Sequence, residues 1–385
     1  MKSNKKINIH VFPTDMQQAA RTLKIAHTID SLGLFDHIFI LGINKNGLLP
    51  ETEKIKEKVT VIRLPIDSKN WISKSLFGKV FPILKFWIHS YRFMINKKPT
   101  VINAHNLVVL PPCVLFKIFN KTKIVYDTHE LETQRQGWKN IEIFISNIFE
   151  RICIKFVDKI VVVSKPIGDW YKKRYKINPI VVNNVPQYHS FKNSNYLSEK
   201  FNIEHDRKIF IFIGVLSKGR GIQQYLEYFE ETKLNICIVF LGGGPLEGTI
   251  KKYAKNSKKI YFHNNVPFNE VNNVVSSADY SLSILRIGKP ALSYEYMMPN
   301  KLFESIMAGI PVLSGGMKYE AEFVKKHNIG DQVYSVDSNY KFEKSIKNIL
   351  SLDYNELQKN CKKLSKKYNW ENQELEIKKY MNDCF

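Results

Sequence analysis

The sequence predicts an α/β protein with two Rossmann-like domains that face each other across a cleft. The chain has 385 residues, which is long for one hydrophobic core and suits two domains of about 150–200 residues each. Short β-rich runs alternate with helical patterns, and the alternation restarts after a polar, turn-rich linker at 187–207. Most of the β-rich runs are apolar almost throughout, which is typical of strands buried on both faces of a parallel sheet. Two successive βαβ series therefore favour two doubly wound domains.

The order of these runs sets the domain limits. We place the first domain at 1–190, the second at 191–365 and a last helix at 366–385. That helix is either an ordinary terminal helix or one that crosses back to brace the first domain. Ligands of such sheets bind beyond the carboxyl ends of the strands. The predicted strands are INIHVF, HIFILG, VTVIRL, TVINAH, KIVYDTH, KIVVVS and IVVNN, then KIFIFIGVL, NICIVFLG, KIYFHN, DYSLSIL and IPVLSG.

The composition and net charge of the chain indicate which kinds of ligand or partner it binds. Hydrophobic residues make up 44% and aromatic residues 12% of the chain, enough for packed cores. A coding bias toward Lys, Asn and Ile accounts for part of the net charge of +22. The remainder favours an anionic partner, either a membrane surface or a phosphorylated substrate. A nucleic acid is not expected, because no zinc-finger spacing and no helix with interleaved Arg and aromatic residues occurs.

The cysteines and the apolar runs indicate a cytoplasmic protein. The five cysteines are scattered and none forms a CxxC pair, so we expect a reducing compartment with no disulfide framework and no zinc site. We interpret the basic start of the chain as the lead into a first strand and not as a signal peptide. No stretch approaches the ~20 uncharged apolar residues of a transmembrane helix.

The segment PNKLFESIMAGIPV predicts a helix that opens on a ligand. Pro299 and Asn300 suit its start, Gly309 suits a left-handed C-terminal position, and Pro311 stops it. Glu304 lies one turn inside, where a carboxylate is costly without hydrogen-bond donors. The free N–H groups of the first turn attract phosphate, and a carboxylate there can accept two sugar hydroxyls. The alternative is that Glu304 only complements the helix dipole.

Two glycine-rich turns follow predicted strands of the second domain. In FIGVLSKGRGI, Lys218 and Arg220 stand beside glycines, and two cations can neutralise a diphosphate leaving group. The spacing matches neither a Walker A loop nor G-x-G-x-x-G. The turn FLGGGPLEGTI is interpreted mainly as a tight strand-to-helix connection that also brings backbone near the ligand.

Together these elements resemble the retaining glycosyltransferases of family 4, which have the GT-B fold. The resemblance covers nearly the whole chain and rests on GVLSKGRGI, LGGGPLEGTI, NNVPFNEVNNVVSSADYSLSIL, PNKLFESIMAGIPV and, in the first half, YDTHE. It implies that the second domain binds a nucleotide-sugar and the first domain binds the acceptor.

The resemblance also implies roles for single residues. Glu304 would hold the ribose hydroxyls, Lys218 and Arg220 would face the diphosphate, and His129 would approach the transferred sugar. His129 also lies just past a predicted buried strand, between Asp127 and Glu130, where loops of such sheets carry function. The implied catalytic residues are His129, Lys218 and Arg220, and the implied donor-binding residues are Gly214, Gly219, Gly243, Asn300, Lys301, Leu302 and Glu304.

The chain departs from the family pattern at three places. The family commonly has two glutamates seven residues apart, and Tyr296 stands at the first position with Glu295 beside it. Val215 stands where an arginine often follows the first glycine. The opening FPTDMQQAARTLK lacks the usual glycine pair. The candidate acceptor contacts there and in YDTHE are Asp15, Arg21 and Glu130, with a helix N-cap and a surface cation as alternative roles of the first two.

We therefore expect a hexosyltransferase that uses a nucleotide-diphosphate sugar, with UDP favoured over GDP, and builds a capsule, lipopolysaccharide or cell-wall glycan. No D-x-D occurs, so we expect neither a metal nor another cofactor. Same-face attack is mildly favoured because no carboxylate stands where a nucleophile is needed. The alternatives are a nucleotide-sugar epimerase of the same fold and a non-catalytic nucleotide-sugar or glycan-binding partner. A dinucleotide oxidoreductase ranks last because no G-x-G-x-x-G follows the first strand.

Residues 71–98, WISKSLFGKVFPILKFWIHSYRFMINKK, mix aromatic and basic side chains. A basic amphipathic helix with Trp and Phe can lie in a membrane interface. The alternative is a core helix of the first domain with a solvated basic face. On the first interpretation the protein is peripheral on the inner face of the plasma membrane, held by anionic lipid.

Overall fold

The structure is a computed structural model that describes residues 5–17, 19–44, 47–66, 76–190, 194–334 and 339–384, without the side chains of 76–79, 268–269 and 339–340. The chain forms two compact units. The first comprises 1–183 together with 373–385, and the second comprises 184–372. Each unit is built on a largely parallel sheet with helices, which confirms the predicted α/β class.

The first unit contains an eight-stranded sheet in the order β3-β4-β2-β1-β5-β6-β7-β8. Its strands are β1 (Ile7–Val11), β2 (His37–Ile43), β3 (Thr52–Lys54), β4 (Val59–Leu64), β5 (Val101–His105), β6 (Lys123–Thr128), β7 (Lys159–Val162) and β8 (Ile180–Val181). Only the exposed edge strand β3 runs antiparallel to its neighbour. Its helices are α1 (Ala20–Ser31), α2 (Leu76–Lys97), α3 (Leu110–Phe119), α4 (Asn140–Cys153) and α5 (Lys165–Tyr175).

The central strands of this sheet explain the apolar runs of the sequence. Every residue of β5 is buried, as is all of β6 beyond Lys123. Strands β1, β5 and β6 are neighbours, so the polar residues at their carboxyl ends meet at one edge. Those polar residues form the candidate site in the first unit.

The second unit contains a six-stranded parallel sheet in the order β11-β10-β9-β12-β13-β14. The order reverses between β9 and β12, and such a switch point is where open α/β sheets bind ligands. The strands are β9 (Lys208–Ile213), β10 (Ile236–Leu241), β11 (Ile260–His263), β12 (Tyr280–Leu282), β13 (Val312–Ser314) and β14 (Gly330–Gln332). The helices are α6 (Tyr196–Phe201), α7 (Ile222–Glu231), α8 (Glu247–Asn256), α9 (Phe268–Val275), α10 (Leu292–Glu295), α11 (Asn300–Ala308), α12 (Lys318–Lys326), α13 (Asn339–Ser351) and α14 (Tyr354–Ser365).

The last helix, α15 (Trp370–Asn382), contributes to the first unit from residue 373 onward. The Thr28 hydroxyl donates to Glu374 Oε1 at 3.0 Å, and the Asn183 N–H donates to Gln373 Oε1 at 2.7 Å. Within that unit the helix is therefore held by polar contacts far apart in sequence.

Helix α2 carries most of the basic aromatic segment at 71–98. Trp71 and Lys74 lie outside the described residues, and the described helix begins at Leu76. Phe86 and Met94 are buried, whereas Phe81 is 69% exposed. Among the described residues, no helix combines the length and the apolar character that crossing a bilayer requires.

Candidate functional site

The second unit has a cavity of about 490 Å³ at the carboxyl ends of β9 and β10 and beyond β12. This position is the switch point of the sheet. The cavity combines apolar walls with charged groups, as small-molecule sites do. It is lined by Ile213, Gly214, Val215, Arg220, Leu241, Asn265, Val266, Val271, Ile284, Tyr294, Met297, Pro299, Asn300, Lys301 and Glu304.

The two glycine-rich turns pack backbone against backbone beside this cavity. A Cβ on Gly242 would lie 2.0 Å from the carbonyl oxygen of Gly214, which has φ +111°. Gly243 does not line the cavity, and its carbonyl accepts from the Leu216 N–H at 2.9 Å. Gly219 lies in the turn at φ +79° and is also outside the lining. The glycines thus let the turns approach each other, and Gly214 alone of these four contributes cavity wall.

The structure separates the two cations of the first turn. Arg220 lines the cavity and its Nε donates to Ser217 Oγ at 3.1 Å. Lys218 is exposed and outside the lining. Val215, at the position where the resemblance expects arginine, is 47% exposed and contributes apolar wall.

Lys301 supplies a second cation to the cavity. Its side chain is buried, and its Nζ has no hydrogen-bond partner within the described part of the chain. Burial, and next the positive charge of Arg220, lower the pKa of Lys301 to about 7, although Glu320 and Glu304 oppose the shift. An ammonium group without acceptors is costly to bury, so this position favours an anionic ligand.

Glu320 is a buried carboxyl group that the sequence reasoning missed. It is the third residue of α12 and accepts hydrogen bonds from Ser283 Oγ at 2.6 Å and Ser314 Oγ at 3.2 Å. Burial raises its pKa to about 7, against the opposing effect of Lys301. A glutamate in the first turn of a helix usually complements the dipole, so the sequence offered no signal that this one is buried.

Helix α11 has the start and end that its sequence predicts, with one difference. Gly309 adopts the left-handed conformation at φ +70°. Pro299 is the N-cap and no side chain caps the helix, so Asn300 begins the helix without capping it. The Leu302 N–H already donates to the Pro299 carbonyl at 3.0 Å, and Leu302 is outside the cavity lining. Glu304 is half-buried and lines the cavity one turn inside the helix.

Glu295 is engaged away from the cavity. Its carboxylate lies 2.9 Å from Arg286 Nη2 and accepts the Lys318 N–H at 3.0 Å, at the start of α12. Tyr294, the residue before Glu295, lines the cavity wall instead of Glu295. Because Tyr296 replaces the first glutamate of the family pattern and Glu295 is engaged elsewhere, no carboxylate from residues 294–296 lines this part of the cavity wall.

In the first unit, Asp127 at the end of β6 forms a buried ion pair with Arg21 of α1. The Arg21 Nη2 lies 2.6 Å from Asp127 Oδ1, and its Nη1 donates to the Val182 carbonyl at 2.7 Å. Burial opposes ionisation, but the Arg21 charge and hydrogen bonds from two histidines hold the pKa of Asp127 well below its usual range. Arg21 is 4% exposed, so the surface-cation alternative for this residue was wrong.

Two histidines contact the same carboxylate, and a third contacts one of them. His105 Nδ1 lies 2.9 Å and His129 Nε2 lies 3.3 Å from Asp127 Oδ2, and His10 Nδ1 lies 2.9 Å from His105 Nε2. Burial lowers the pKa of both His10 and His105. With both rings neutral, His105 donates from Nδ1 to Asp127 and accepts at Nε2 from His10. Of the three, only His129 is partly exposed.

The loop after β6 is held by a second buried carboxylate. Glu132 accepts the N–H of His129 at 3.1 Å and that of Leu107 at 3.2 Å. Arg135 binds Glu132 and also pairs with Glu130 at 3.2 Å. Burial raises the pKa of Glu130. The predicted acceptor contact Glu130 thus lies in an ion-pair network beside His129.

The remaining candidates have local roles. Asp15 accepts the Gln17 N–H at 3.2 Å in a turn, and α1 begins later with Ala19 as its N-cap, so the N-cap alternative for Asp15 was wrong.

The ligand atoms of His105, Asp127 and His129 lie within 4.8 Å of one another. That spacing suits a metal, but Arg21 already neutralises the shared carboxylate. A cavity of about 400 Å³ around β7 and α15 contains none of the predicted site residues.

The second unit matches a known family model. Residues 194–368 match the family model described as glycosyl transferases group 1. This range includes every residue that lines the cavity in the second unit. No curated protein matches the sequence. The family-model match and the fold together support a glycosyltransferase with the GT-B fold.

Similar solved structures extend over both units. Sucrose-phosphate synthase from Thermosynechococcus elongatus is 14% identical, covers 98% of this chain and 99% of its own, and has a TM-score of 0.76. The Anabaena protein HepE in complex with UDP-glucose is 10% identical over 98% and 99% of the two chains, with a TM-score of 0.70. WaaG, a glycosyltransferase involved in lipopolysaccharide biosynthesis, is 14% identical over 96% and 97%, with a TM-score of 0.62. At these identities the likeness shows the fold.

Proposed function

We propose that the protein transfers a hexose or N-acetylhexosamine, with retention, from a nucleotide-diphosphate sugar to a surface-glycan acceptor. UDP is the favoured nucleotide, the reaction needs no metal, and the enzyme acts in the cytoplasm. Two similar structures lend support, since HepE was solved with UDP-glucose and WaaG acts in lipopolysaccharide biosynthesis.

The observation that carries the proposal is the set of charges in the second-unit cavity. Arg220 and Lys301 bring two cations to the wall where α11 begins, and Glu304 follows one turn later. Two cations at a helix N-terminus suit a diphosphate. A carboxylate one turn inside suits the vicinal hydroxyls of the ribose.

These groups act on the leaving group. The bond between the anomeric carbon and the diphosphate oxygen breaks, and its electron pair stays on the diphosphate. The acceptor hydroxyl oxygen bonds to the anomeric carbon on the same face, and its proton passes to the departing phosphate oxygen. Arg220 and Lys301 stabilise the charge that develops on the diphosphate, and preorganised charges of this kind are usually a large part of catalysis.

His129 is proposed to contact the transferred sugar. It is the one partly exposed member of the three-histidine network, and Asp127 fixes its Nε2. The carboxylate orients the ring and leaves Nδ1 for a sugar hydroxyl. Removing His129 should therefore lower turnover more than nucleotide affinity.

A thermal-shift panel of UDP, GDP, ADP and their sugars tests the donor site. We expect UDP and one UDP-sugar to raise Tm in the wild type, and Glu304→Ala to abolish the shift. Glu227→Ala, an exposed carboxylate on α7, is the matched control and should keep it. No shift with any nucleotide would remove the donor-site assignment. Turnover that survives EDTA would support metal independence.

A non-catalytic nucleotide-sugar binding protein is the second candidate. The engagement of Glu295 by Arg286 and Lys318 favours it, because no carboxylate from 294–296 faces the sugar. It predicts the same Tm shifts with neither transfer nor hydrolysis of any UDP-sugar. Epimerisation without an acceptor would instead identify the enzyme as an epimerase.

A further inference from the structure

Helix α4 turns its apolar side outward. Six of its side chains are at least two-fifths exposed. They are Ile141 at 59%, Phe144 at 62%, Ile145 at 42%, Ile148 at 45%, Phe149 at 44% and Ile152 at 55%. A helix on the surface of a protein in water normally shows the opposite arrangement.

The inner side of α4 is polar and is tied to the core. Glu150 is fully buried and accepts hydrogen bonds from the hydroxyls of Tyr126 at 2.9 Å, Tyr171 at 2.6 Å and Tyr175 at 2.6 Å. Rotating the helix to bury its Ile and Phe side chains would break these three bonds and leave a carboxyl group unpaired. The apolar side is therefore fixed in its outward orientation.

Two neighbouring helices also expose apolar side chains. Helix α3 packs against both α2 and α4, and it exposes Phe119 by 72% and Ile118 by 53%. Helix α2 exposes Phe81 by 69% and Ile88 by 52%. Exposed apolar side chains thus occur on three packed helices, and extensive exposed apolar surface marks an interaction site. We name the exposed apolar side chains of α2, α3 and α4 the three-helix face.

The charges around the three-helix face are basic. Residues 80–126, which include the described side chains of α2 and all of α3, contain seven Lys and Arg and no Asp or Glu, and two of them, Lys117 and Lys123, pair with Asp158. Lys139, Arg151 and Lys155 are exposed at and beside α4. Besides the buried Glu150, the acidic residue of α4 is Glu142, whose carboxylate accepts the N–H of Lys139 at 2.9 Å. An apolar surface with a basic rim complements an anionic lipid surface.

We propose that the three-helix face docks into the interface of a bilayer that contains anionic lipids, with α4 as its main contributor. A second copy of the chain is a poorer occupant, because a twofold contact joins identical patches and would bring the basic rims together. The membrane surface predicted from residues 71–98 is extended here to α3 and α4. The inference does not depend on the donor or the acceptor of the reaction.

Vesicle flotation of the full chain tests the proposal, with phosphatidylcholine vesicles that contain or lack phosphatidylglycerol. The wild type should float with the anionic vesicles. The triple variant Phe144→Glu, Ile148→Glu and Ile152→Glu should lose at least about a hundredfold in partitioning. The matched control, Leu48→Glu with Leu375→Glu, changes side chains that are 85% and 64% exposed elsewhere and should float as the wild type does.

A second set of variants tests the basic rim. Lys139→Gln, Arg151→Gln and Lys155→Gln together should lower partitioning to anionic vesicles on the order of a hundredfold and leave neutral vesicles unaffected. All variants should keep the Tm of the wild type, since every changed side chain is exposed. Wild type that stays unbound, or an apolar triple variant that floats normally, would overturn the proposal. A dimer that the triple variant dissociates, without vesicle binding, would assign the face to a second copy instead.

Discussion

The ammonium group of Lys301 lies 3.5 Å from the centre of the Phe212 ring, and both side chains are buried. The ring face offers the cation a weak attraction but no hydrogen-bond acceptor. Phe212 belongs to β9 and Lys301 to the first turn of α11, so this contact joins the sheet to the helix that opens on the cavity. No group in the described part of the chain accepts a hydrogen bond from Lys301 Nζ, so the cavity contains an unsatisfied cation.

Lys301→Met should stabilise the protein at low pH and not at high pH. The pKa of Lys301 is about 7 in the folded chain, against an ordinary value of 10.5. Between pH 7 and 10.5 the unfolded chain therefore binds more protons than the folded chain. Burying the charged Lys301 thus lowers the free energy of unfolding by its full amount below pH 7, and this cost fades as the pH rises. We expect a gain on the order of 5 kcal/mol at pH 6. Urea unfolding at pH 6 and pH 10 measures it, and equal gains at both pH values would contradict the assignment.

Glu320→Gln should show the opposite dependence. Its pKa is about 7 against an ordinary 4.5, so the folded chain binds more protons between these values and the cost is complete above pH 7. We expect a gain on the order of 3 kcal/mol at pH 8 that disappears below pH 4.5. The amide oxygen of the variant side chain can accept from one of the two hydroxyls of Ser283 and Ser314, and the amide NH₂ can donate to the other. Urea unfolding of the variant measures this gain in the free energy of unfolding. A gain of the same size below pH 4.5 would show that ionisation of Glu320 is not its cause.

Binding of a nucleoside diphosphate should take up a proton at pH 8. Lys301 is then largely neutral in the free protein, and the diphosphate favours its charged form. Calorimetry with UDP in two buffers of different ionisation enthalpy measures the uptake. Lys301→Met should remove it, whereas Lys218→Met, which changes an exposed lysine outside the cavity lining, should preserve it. An unchanged uptake in Lys301→Met would assign the proton to another group.

Arg220→Ala should lower kcat about 10²–10³-fold, the usual loss for one preorganised charge at a developing anion. Lys218→Ala, two residues away but outside the cavity lining, should remain within about threefold of wild type. Initial rates of sugar transfer at saturating donor compare the two. Equal losses would mean that the exposed lysine reaches the leaving group after all.

Asp127→Asn should destabilise the first unit by about 3–5 kcal/mol, because it leaves Arg21 charged, buried and unpaired. Arg21→Leu should cost a similar amount, and the double variant should cost less than the sum. Asp169→Asn, in the exposed pair with Lys165, is the control and should stay within about 1 kcal/mol of wild type. Additive losses in chemical denaturation would show that Arg21 and Asp127 act independently.

The pKa of Asp127 is lower in the folded chain than in the unfolded chain. Its contribution to the free energy of unfolding is therefore fully present above the pKa of the unfolded chain, and it is lost as the pH falls toward the lower pKa of the folded chain. Asp127→Asn should therefore be less sensitive than wild type to acid below about pH 4. Acid titration followed by tryptophan fluorescence checks the difference.

Local sequence patterns determined much of the secondary structure and some of the residues that line the second-unit cavity. Continuous apolar runs predicted buried strands because both faces of a parallel sheet are covered. Gly309 predicted the end of α11 because few other residues adopt a left-handed cap. Arg220 and Glu304 were found because they lie next to a glycine turn and a helix start, so short spacings revealed them.

Only the tertiary structure decided which charges are buried and with whom. Arg21 and Asp127 are 106 residues apart in the sequence. Lys301 of α11 is buried against Phe212 of β9, and these two elements are also far apart in the sequence. Their pKa shifts come from desolvation and from charges brought together by folding, which no local pattern encodes. The same holds for α4, whose alternation of Ile, Phe and polar residues predicts an amphipathic helix. The three tyrosines that bind Glu150 decide that its apolar side faces outward.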